Sequence, residues 1–458
     1  MSIDAPSALD RARGKAYRRL LPLLFVSYMI AYVDRANVGF AKLTMMADLK
    51  GFDDAIFGYA MGFWFFSGYL LLEIPGTLLV EKWSARKWIG RIMITWGIVA
   101  ALTASVQTPR QFYLVRFALG LAEAGFYPGV IVYLTHWFPR RDRARALAWF
   151  FAATPIAQLV GPLLSRRLLV IGTPSHPAPM LGLKGWQWVF IAWGLPAVVL
   201  GVVVLSFLTD RPGQARWLEP EEHEALGQEL AREKAQQHHG AGRPMSLGEA
   251  LSHPKVLLLT AAYFFVVTGN YGIEFFMPTI FQTWFGKGPE DVALLVIIPP
   301  IGSLLGQLFI GWNSDRMQER RWHAAMPIYL GAAAVACTPL SRDSIWLTIA
   351  LFTLAMTGLK AYLPAFWSLP GLFLTESAAA GSIGLINSVG NLGGAMGPSL
   401  MGWVKTLTGS FQGGLFYLAV SMTASASIIV GLGLGRRIGK PETWPDPLSE
   451  TVPEPEPV

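Results

Sequence analysis

Asp34 and Arg35 interrupt an apolar run near the start of this chain, Arg116 and Glu123 interrupt another, and Glu274 and Lys360 interrupt two more. An ionised side chain at a bilayer centre costs about 2.5 to 3.5 kcal/mol on insertion scales, so each needs a partner, water or a purpose. Asp34 and Arg35 point about 100° apart on a helix and need not pair with each other, whereas Arg116 and Glu123, two turns apart, share a face at about 10 Å. Arg35 stays charged at any working pH and offers a planar fork that grips a carboxylate, which makes it the main candidate substrate anchor. Asp34 and Glu123, out of water, are able to gain a proton, while Arg116 nearby favours their ionised forms. A carboxylate poised between those influences is a proton-coupling switch. The competing reading of these residues is structural, as ion pairs joining helices. Glu274 follows Asn270 by one turn, and Lys360 either pairs with Glu274 or grips a second carboxylate, as a site for a dianion would require. A rim-facing lysine in water is the bland alternative. No H-E-x-x-H, G-x-S-x-G or P-loop occurs, so no enzyme, cofactor or metal is expected.

The elements that must hold these residues are helices in lipid. Of 458 residues, 53% are hydrophobic and only 15% charged, against roughly 25% charged in a soluble domain. Apolar runs long enough to span a bilayer recur, with boundaries at 17–37, 54–80, 88–106, 110–136, 144–168, 187–208, 256–284, 290–313, 323–341, 345–374, 378–406 and 411–435, or about twelve spans. The net charge of +7 is spread in short clusters between those runs, which argues for topology rather than nucleic acid. The basic loops (Lys82, Arg86 and Lys87; Arg140 to Arg145; Arg316 to Arg321; Arg436 to Lys440) fall on one side with the N-terminus. By the bias of Lys and Arg that side is the cytoplasm, with both termini inside. Arg166, Arg167 and Lys184 are the exceptions, made cheap by snorkelling. Cys337 lies in an apolar run and reads as a buried small hydrophobe.

The stretch 209–255 is charged and helix-prone. It divides the spans evenly, giving an N-terminal tail 1–16, a first bundle 17–208, a cytoplasmic linker 209–255, a second bundle 256–435 and a Pro- and acid-rich tail 436–458 expected to be disordered. His238 and His239 read as solvated linker residues. A repeat supports the division: Gly76 to Lys87 after the second span and Gly311 to Arg321 after the eighth each place an acid and then a base at a helix end. Two related halves are the architecture of an alternating-access carrier.

Those two loops resemble the signature loop of the major facilitator superfamily, in which an acid and a base latch neighbouring helices. The first copy has Thr77, Glu81 and Ser84 where the family usually carries Gly, Asp and Gly; the second, Gly311 to Arg316, fits better. YVDRANVGFAK from Tyr32, RFALGLAEAGFYPG from Arg116, HWFPRRDRARA from His136 and INSVGNLGGAMGP from Ile386 are similar to the anion:cation symporter branch, with tartrate-type carriers nearest in kind. The resemblance covers roughly 15 to 437 and implies an all-α integral membrane fold of twelve helices in two pseudo-symmetric six-helix bundles. It implies that the first, fourth, seventh and tenth spans line a central cavity holding Asp34, Arg35, Arg116 and Glu123. Tyr32, Tyr69, Gln158, Asn270, Lys360, Trp367, Ser368, Asn387 and Asn391 complete the implied substrate-binding set, with packing or interface anchoring as the alternative for the tyrosines and Trp367. Glu81, Arg86, Gly311, Asp315 and Arg316 are the implied gating residues. Glu274 and Lys360 are not expected at their positions in the family. Gly390, Gly393, Gly394 and Gly397 read as close-approach positions between helices.

The function expected is proton-coupled import of small organic anions, tartrate-like dicarboxylates or sugar acids, by a monomer in the inner membrane. Aromatic carboxylates such as phthalate are the alternative substrates. A drug/proton antiporter is a further one, opposed by Arg35, Arg116 and Lys360, which repel a cation. A dianion entering with one proton works against an inside-negative potential at about 2.3 kcal/mol per 100 mV, and a second proton removes that cost. Asp34 and Glu123 are compatible with two.

Overall fold

The computed structural model describes residues 7–82, 84–173, 176–240, 253–372 and 376–434. In hydrocarbon every backbone N–H and C=O must find its partner within the segment, so the apolar runs fold as helices. The β-pairing among the described residues is limited to isolated bridges within 171–183.

The first half comprises α1 (Ala8–Asp48), α2 (Asp54–Tyr59, a π turn Ala60–Trp64, then Phe65–Lys82), α3 (Ala85–Leu102), α4 (Pro109–Glu123, then Phe126–Trp137), α5 (Arg140–Phe151, then Ala153–Leu169) and α6 (Gly185–Phe207). A connecting helix, α7, spans Pro220–Gly240. The second half comprises α8 (Pro254–Phe285), α9 (Pro289–Leu295, then Ile298–Met317), α10 (Arg321–Cys337), α11 (Ile345–Ala361, then Leu363–Ser368), α12 (Glu376–Gly390, then Gly393–Thr408) and α13 (Gln412–Gly431). Local chemistry sets the punctuation. Thr108 and Gln111 close a capping box ahead of α4, with Pro109 at its first position. Gly125 divides that helix because its φ of 83° lies in the left-handed region, where a side chain is strained.

Nine described stretches are long and apolar enough to cross a membrane by themselves. The other three rods are α1, which carries the interior charges Asp34 and Arg35, and α5 and α12. Helix α1 also corrects two expectations. It begins at Ala8, inside the stretch read as a tail, and runs on to Asp48. Asp34 and Arg35 therefore lie deep along it, about 20 Å from its far end, rather than at the end of a span closing at 37.

Within the first half α3 packs on α6 and α1 on α5 and α6; within the second, α9 packs on α11, α10 on α13, and α8 on α12 and α13. The halves meet along α1 with α8, α2 with α12, and α5 with α9. Backbones touch there: a Cβ at Gly402 would stand 2.0 Å from the Asp54 carbonyl oxygen. The face opposite the termini is sealed by cross-half contacts. Arg166 donates to Glu290 at 2.5 Å and Gln282 to the Leu43 carbonyl at 3.3 Å. Lys42, only 1% exposed, is paired with Asp54, its ammonium 3.9 Å from the Phe276 ring centre and 4.5 Å from that of Phe57. Lys184 pairs with Asp48, so Arg166 and Lys184 both have carboxylate partners. Cys337 is exposed, not buried; with lipid as solvent a small apolar side chain at a helix end has no need of a protein core.

On the face carrying the termini, α7 is fastened to the first half. Glu222 is fully buried and pairs with Lys15 at 2.8 Å and Arg11 at 3.5 Å. Arg13 pairs with Asp142, and Tyr17 donates to the Asp142 carbonyl at 3.0 Å. Trp217 stacks on Trp137 with centroids 5.2 Å apart. The side chains of His238 and His239, and the tail 436–458, lie outside the described residues. Burial alone would raise the Glu222 carboxyl, but hydrogen bonds from Lys15 and the Glu219 N–H hold it below the ordinary carboxylate range. Such a depressed group contributes stability above its unfolded value and loses it as pH falls through the lowered folded value. Glu222→Gln should therefore speed proteolytic nicking of α7 several-fold at neutral pH and abolish its acceleration in acid; wild-type cleavage rates at both pH values would show that the latch does not hold α7.

Candidate functional site

Two polar clusters occupy the middle of the bundle, one built mainly by the first half and one shared between the halves. In the first, Arg35 of α1 donates from Nη2 to Glu123 Oε2 of α4, and from Nη1 to the Tyr271 hydroxyl of α8 at 3.2 Å. Its guanidinium lies 5.3 Å from the Phe65 ring centre and 5.8 Å from that of Tyr69, both on α2. A cation on an aromatic face gains from the ring quadrupole, more so when desolvated. Glu123 Oε1 is buried with no hydrogen-bond partner, so one oxygen of this carboxylate is uncommitted.

Glu123 thus answers Arg35 and not Arg116. Seven residues along one helix place Arg116 about 10 Å away, beyond direct pairing, while α1 brings Arg35 alongside. Arg116 is 1% exposed, and its Nε and Nη2 have no hydrogen-bond partner. It lies over the rings of Phe112 and Phe190, 5.3 Å from each, in electrostatic reach of Asp34 and Glu123. Asp34 faces away from Arg35, as adjacent helix positions require. Its Oδ2 accepts from the indole N–H of Trp96 on α3 at 2.9 Å, with both residues almost wholly buried.

The second cluster centres on Glu274 of α8. Its Oε2 accepts from Tyr32 of α1 and from Asn270, both at 3.3 Å, and its Oε1 from Gln158 of α5 at 3.3 Å. The Tyr32 hydroxyl in turn accepts from Gln158 at 3.2 Å and from Lys360 of α11 at 3.4 Å. Lys360 and Glu274 are therefore joined through Tyr32 and not by a direct ion pair. Beside Gln158 and Glu274 opens a mainly apolar cleft walled by Phe40, Pro162, Met277, Val296 and Met356.

The remaining expected residues make other contacts. Trp367 packs edge-on to Tyr263, and Ser368 bonds the Ala365 carbonyl of its own helix. Among the described residues no side-chain hydrogen bond links Trp367, Ser368, Asn387 or Asn391 to Arg35 or Glu274. A Cβ at Gly390 would meet the Tyr263 ring at 2.2 Å, and one at Gly393 the Phe264 carbonyl at 2.1 Å. Those glycines are where α12 approaches α8. Of the gating set, the side chains of Glu81 and Asp315 lie outside the described residues. Arg86 is fixed by Asp210, its N–H donating to Oδ1 at 2.9 Å. Gly311 sits under Pro364 of α11. Arg316 lies over Trp312 of its own helix at 5.4 Å rather than latching a neighbour. No group of three or more His, Cys, Asp or Glu among the described residues could hold a metal ion.

Sequence reasoning missed Trp96, Tyr271, Asp210 and Glu73. The last is 3% exposed on α2 and in electrostatic reach of Arg35. An acid inside the apolar run LLLEIPG was as visible as the others, whereas one indole among 17 tryptophans carries no such signal. Trp96→Phe strips a buried carboxylate of its donor, at a cost of about 1–3 kcal/mol. The variant should melt several degrees lower in detergent; an unchanged midpoint would show that Asp34 finds another partner.

The family model of the Major Facilitator Superfamily matches residues 24–398. An Agrobacterium vitis protein named "Putative tartrate transporter" is 42% identical over 417 residues, covering 91% of this chain and 90% of that protein. A "Quinolone resistance transporter" of Acinetobacter baumannii is 40% identical, covering 88% and 91%. Among solved structures, a partially occluded inward-open form of the xylose transporter XylE from E. coli superposes with a TM-score of 0.67 at 11% identity, covering 91% of this chain and 98% of that one. With its helical halves, buried charges and relatives that are transporters throughout, this chain belongs to the Major Facilitator Superfamily and is a multi-pass membrane transporter, not an enzyme.

Proposed function

We propose that the protein imports small organic anions, tartrate-like dicarboxylates or sugar acids, by proton symport through alternating access. It would work as a monomer in the inner membrane with both termini cytoplasmic, the side favoured by the Lys and Arg bias of the short loops. The observation that carries this reading is Arg35: a permanent cation at the junction of the halves, held by an acid of the first and a hydroxyl of the second. A substrate carboxylate competes with Glu123 for the guanidinium. Glu123, with Oε1 uncommitted, then takes the proton that keeps the interior neutral. Lys360 supplies the second cation, with Tyr32, Gln158 and Asn270 as donors for further oxygens.

The sealing of one face by the Lys42, Arg166 and Gln282 contacts fits a carrier whose site faces one side at a time. The mainly apolar cleft beside Gln158 favours a second reading, aromatic carboxylates such as phthalate, because its walls suit a ring better than hydroxyl groups. The export reading suggested by the quinolone-named relative is opposed by Arg35, Arg116 and Lys360 for any cationic drug.

Uptake of radiolabelled tartrate into proteoliposomes, with galactonate, glucarate and phthalate competing, tests the reading. Inward-directed proton gradients should drive accumulation; no uptake of any carboxylate would end it. Glu123→Gln should retain exchange but lose pH-driven accumulation, and normal accumulation would remove Glu123 from coupling. A charge-assisted hydrogen bond is worth about 1.5–3 kcal/mol, so Lys360→Gln should raise the KM for dicarboxylates about tenfold or more while sparing monocarboxylates. Equal effects on both would dismiss the second clamp.

A further inference from the structure

The donors assigned above to the substrate are committed to Glu274. Tyr32 has one hydroxyl proton, and it points to Glu274 Oε2. Gln158 has two amide protons, engaged with the Tyr32 oxygen and Glu274 Oε1. Asn270 also donates to Oε2. A second acceptor can use the Tyr32 proton only by taking it from Glu274, since a phenol donates once. At Tyr32 and Gln158, substrate binding and the hydrogen bonding of Glu274 therefore exclude each other, while Asn270 keeps a second amide proton; the long distances, 3.3 Å for each donor to Glu274, make the exchange inexpensive.

Resting on the organic-anion reading, we infer that Glu274 is a resident stand-in for a substrate carboxylate: the incoming dianion takes over Tyr32, Gln158 and Asn270, and the displaced Glu274 carries the second proton. The step is a simple protonation. One hydrogen ion from the aqueous side adds to a Glu274 oxygen as the substrate carboxylate takes its donors, and returns to water when the substrate leaves. A displaced carboxylate in a low-dielectric interior either regains a partner or is neutralised. The groups facing it are Tyr28 and Tyr32 on α1, Gln158 on α5, Asn270 and Tyr271 on α8, and Lys360 on α11. Lys360 is the cation among them, Arg35 lies beyond Tyr271, and a dianion engages both.

The pairing points the same way. Glu123 answers Arg35 directly, and Glu274 answers Lys360 through Tyr32. A dianion that takes over both cations displaces both acids, and one proton on each offsets the two negative charges it brings, with Arg116, Asp34 and Glu73 left as they are. The second proton then belongs to Glu274 and not to Asp34, whose carboxylate faces Trp96 and is bonded to none of the proposed substrate donors. A monocarboxylate that engages Arg35 alone displaces Glu123 alone and needs one proton.

The test is proton uptake per substrate bound, read with a pH-sensitive dye in weakly buffered detergent solution of the full-length protein. Wild type should take up two protons with a tartrate-like dianion and one with the corresponding monocarboxylate; equal uptake for the two overturns the inference without any variant. Glu274→Gln should take up one proton with the dianion, and Glu274→Asp, which keeps an ionisable group in place, should restore two. In vesicles, dianion accumulation by Glu274→Gln should fall about 50-fold per 100 mV of inside-negative potential, as one uncompensated charge requires, while wild type is indifferent. Two protons in Glu274→Gln overturns the role of Glu274 while leaving the carrier reading intact. A wild-type protein that binds no carboxylate refutes the organic-anion reading, and this inference falls with it.

Discussion

A guanidinium cannot shed its charge in the middle of an apolar bundle, and the arrangement around Arg35 follows from that constraint. It draws a carboxylate from α4, a hydroxyl from α8 and two aromatic faces from α2. Four helices from both halves are thus tied to one side chain. Buried ion pairs of this kind contribute little to stability relative to a well-packed apolar core, yet breaking one by removing a partner costs about 3–5 kcal/mol. That asymmetry suits exchange of partners: the pair is expensive to leave broken and inexpensive to replace by another carboxylate.

The two clusters differ in stiffness. Arg35 and Glu123 form a direct charge-assisted contact, while Lys360 reaches Glu274 only through the Tyr32 hydroxyl, by bonds of 3.4 and 3.3 Å. The first anchors, and the second adapts. Both bridge the halves, so any rocking of one half against the other must pass through them. The sealed face uses a different device. Lys42 is enclosed by Asp54, Phe57 and Phe276, a mixture of charge and ring contacts drawn from both halves. At the other face α7 is fastened to α1 by Arg11 and Lys15, so in a rocking motion it would travel with the first half.

The fold and the identity of the interior charges were legible in the sequence because lipid penalises every charge that has no reason to be there. Partners were harder to read. Helical periodicity tells which residues share a face but not which neighbouring helix that face meets, so the spacing of Arg116 and Glu123 was legible and the pairing of Glu123 with Arg35 was not. Trp96 left no trace, because an indole inside an apolar run has the same pattern whether it packs or donates. The depth of Asp34 and Arg35 was misjudged for another reason: α1 extends past its apolar stretch at both ends, and hydropathy marks the lipid-soluble stretch rather than the helix. The glycines of α12 were read correctly, since close approach is a property of the residue itself.

Helix interruptions cluster where the chemistry is. Helix α4 breaks directly after Glu123, α11 directly after Lys360 and Ala361, and α5 a turn and a half before Gln158; the π turn of α2 precedes Phe65 and Tyr69. Glu123 and Lys360 therefore sit at helix ends, where backbone dipoles are unbalanced, whereas Arg35 and Glu274 lie inside long helices. Lys360 lies in the last turn of Ile345–Ala361, the end at which a helix dipole favours a cation. Glu123 occupies the same position on Pro109–Glu123, where a carboxylate is disfavoured by the same dipole. Its compensation is Arg35, the group proposed above to grip a substrate carboxylate. An acid placed at the disfavoured end of a helix is thus tied to the cation that a neighbouring helix supplies, and α1 and α4 are joined through that pair.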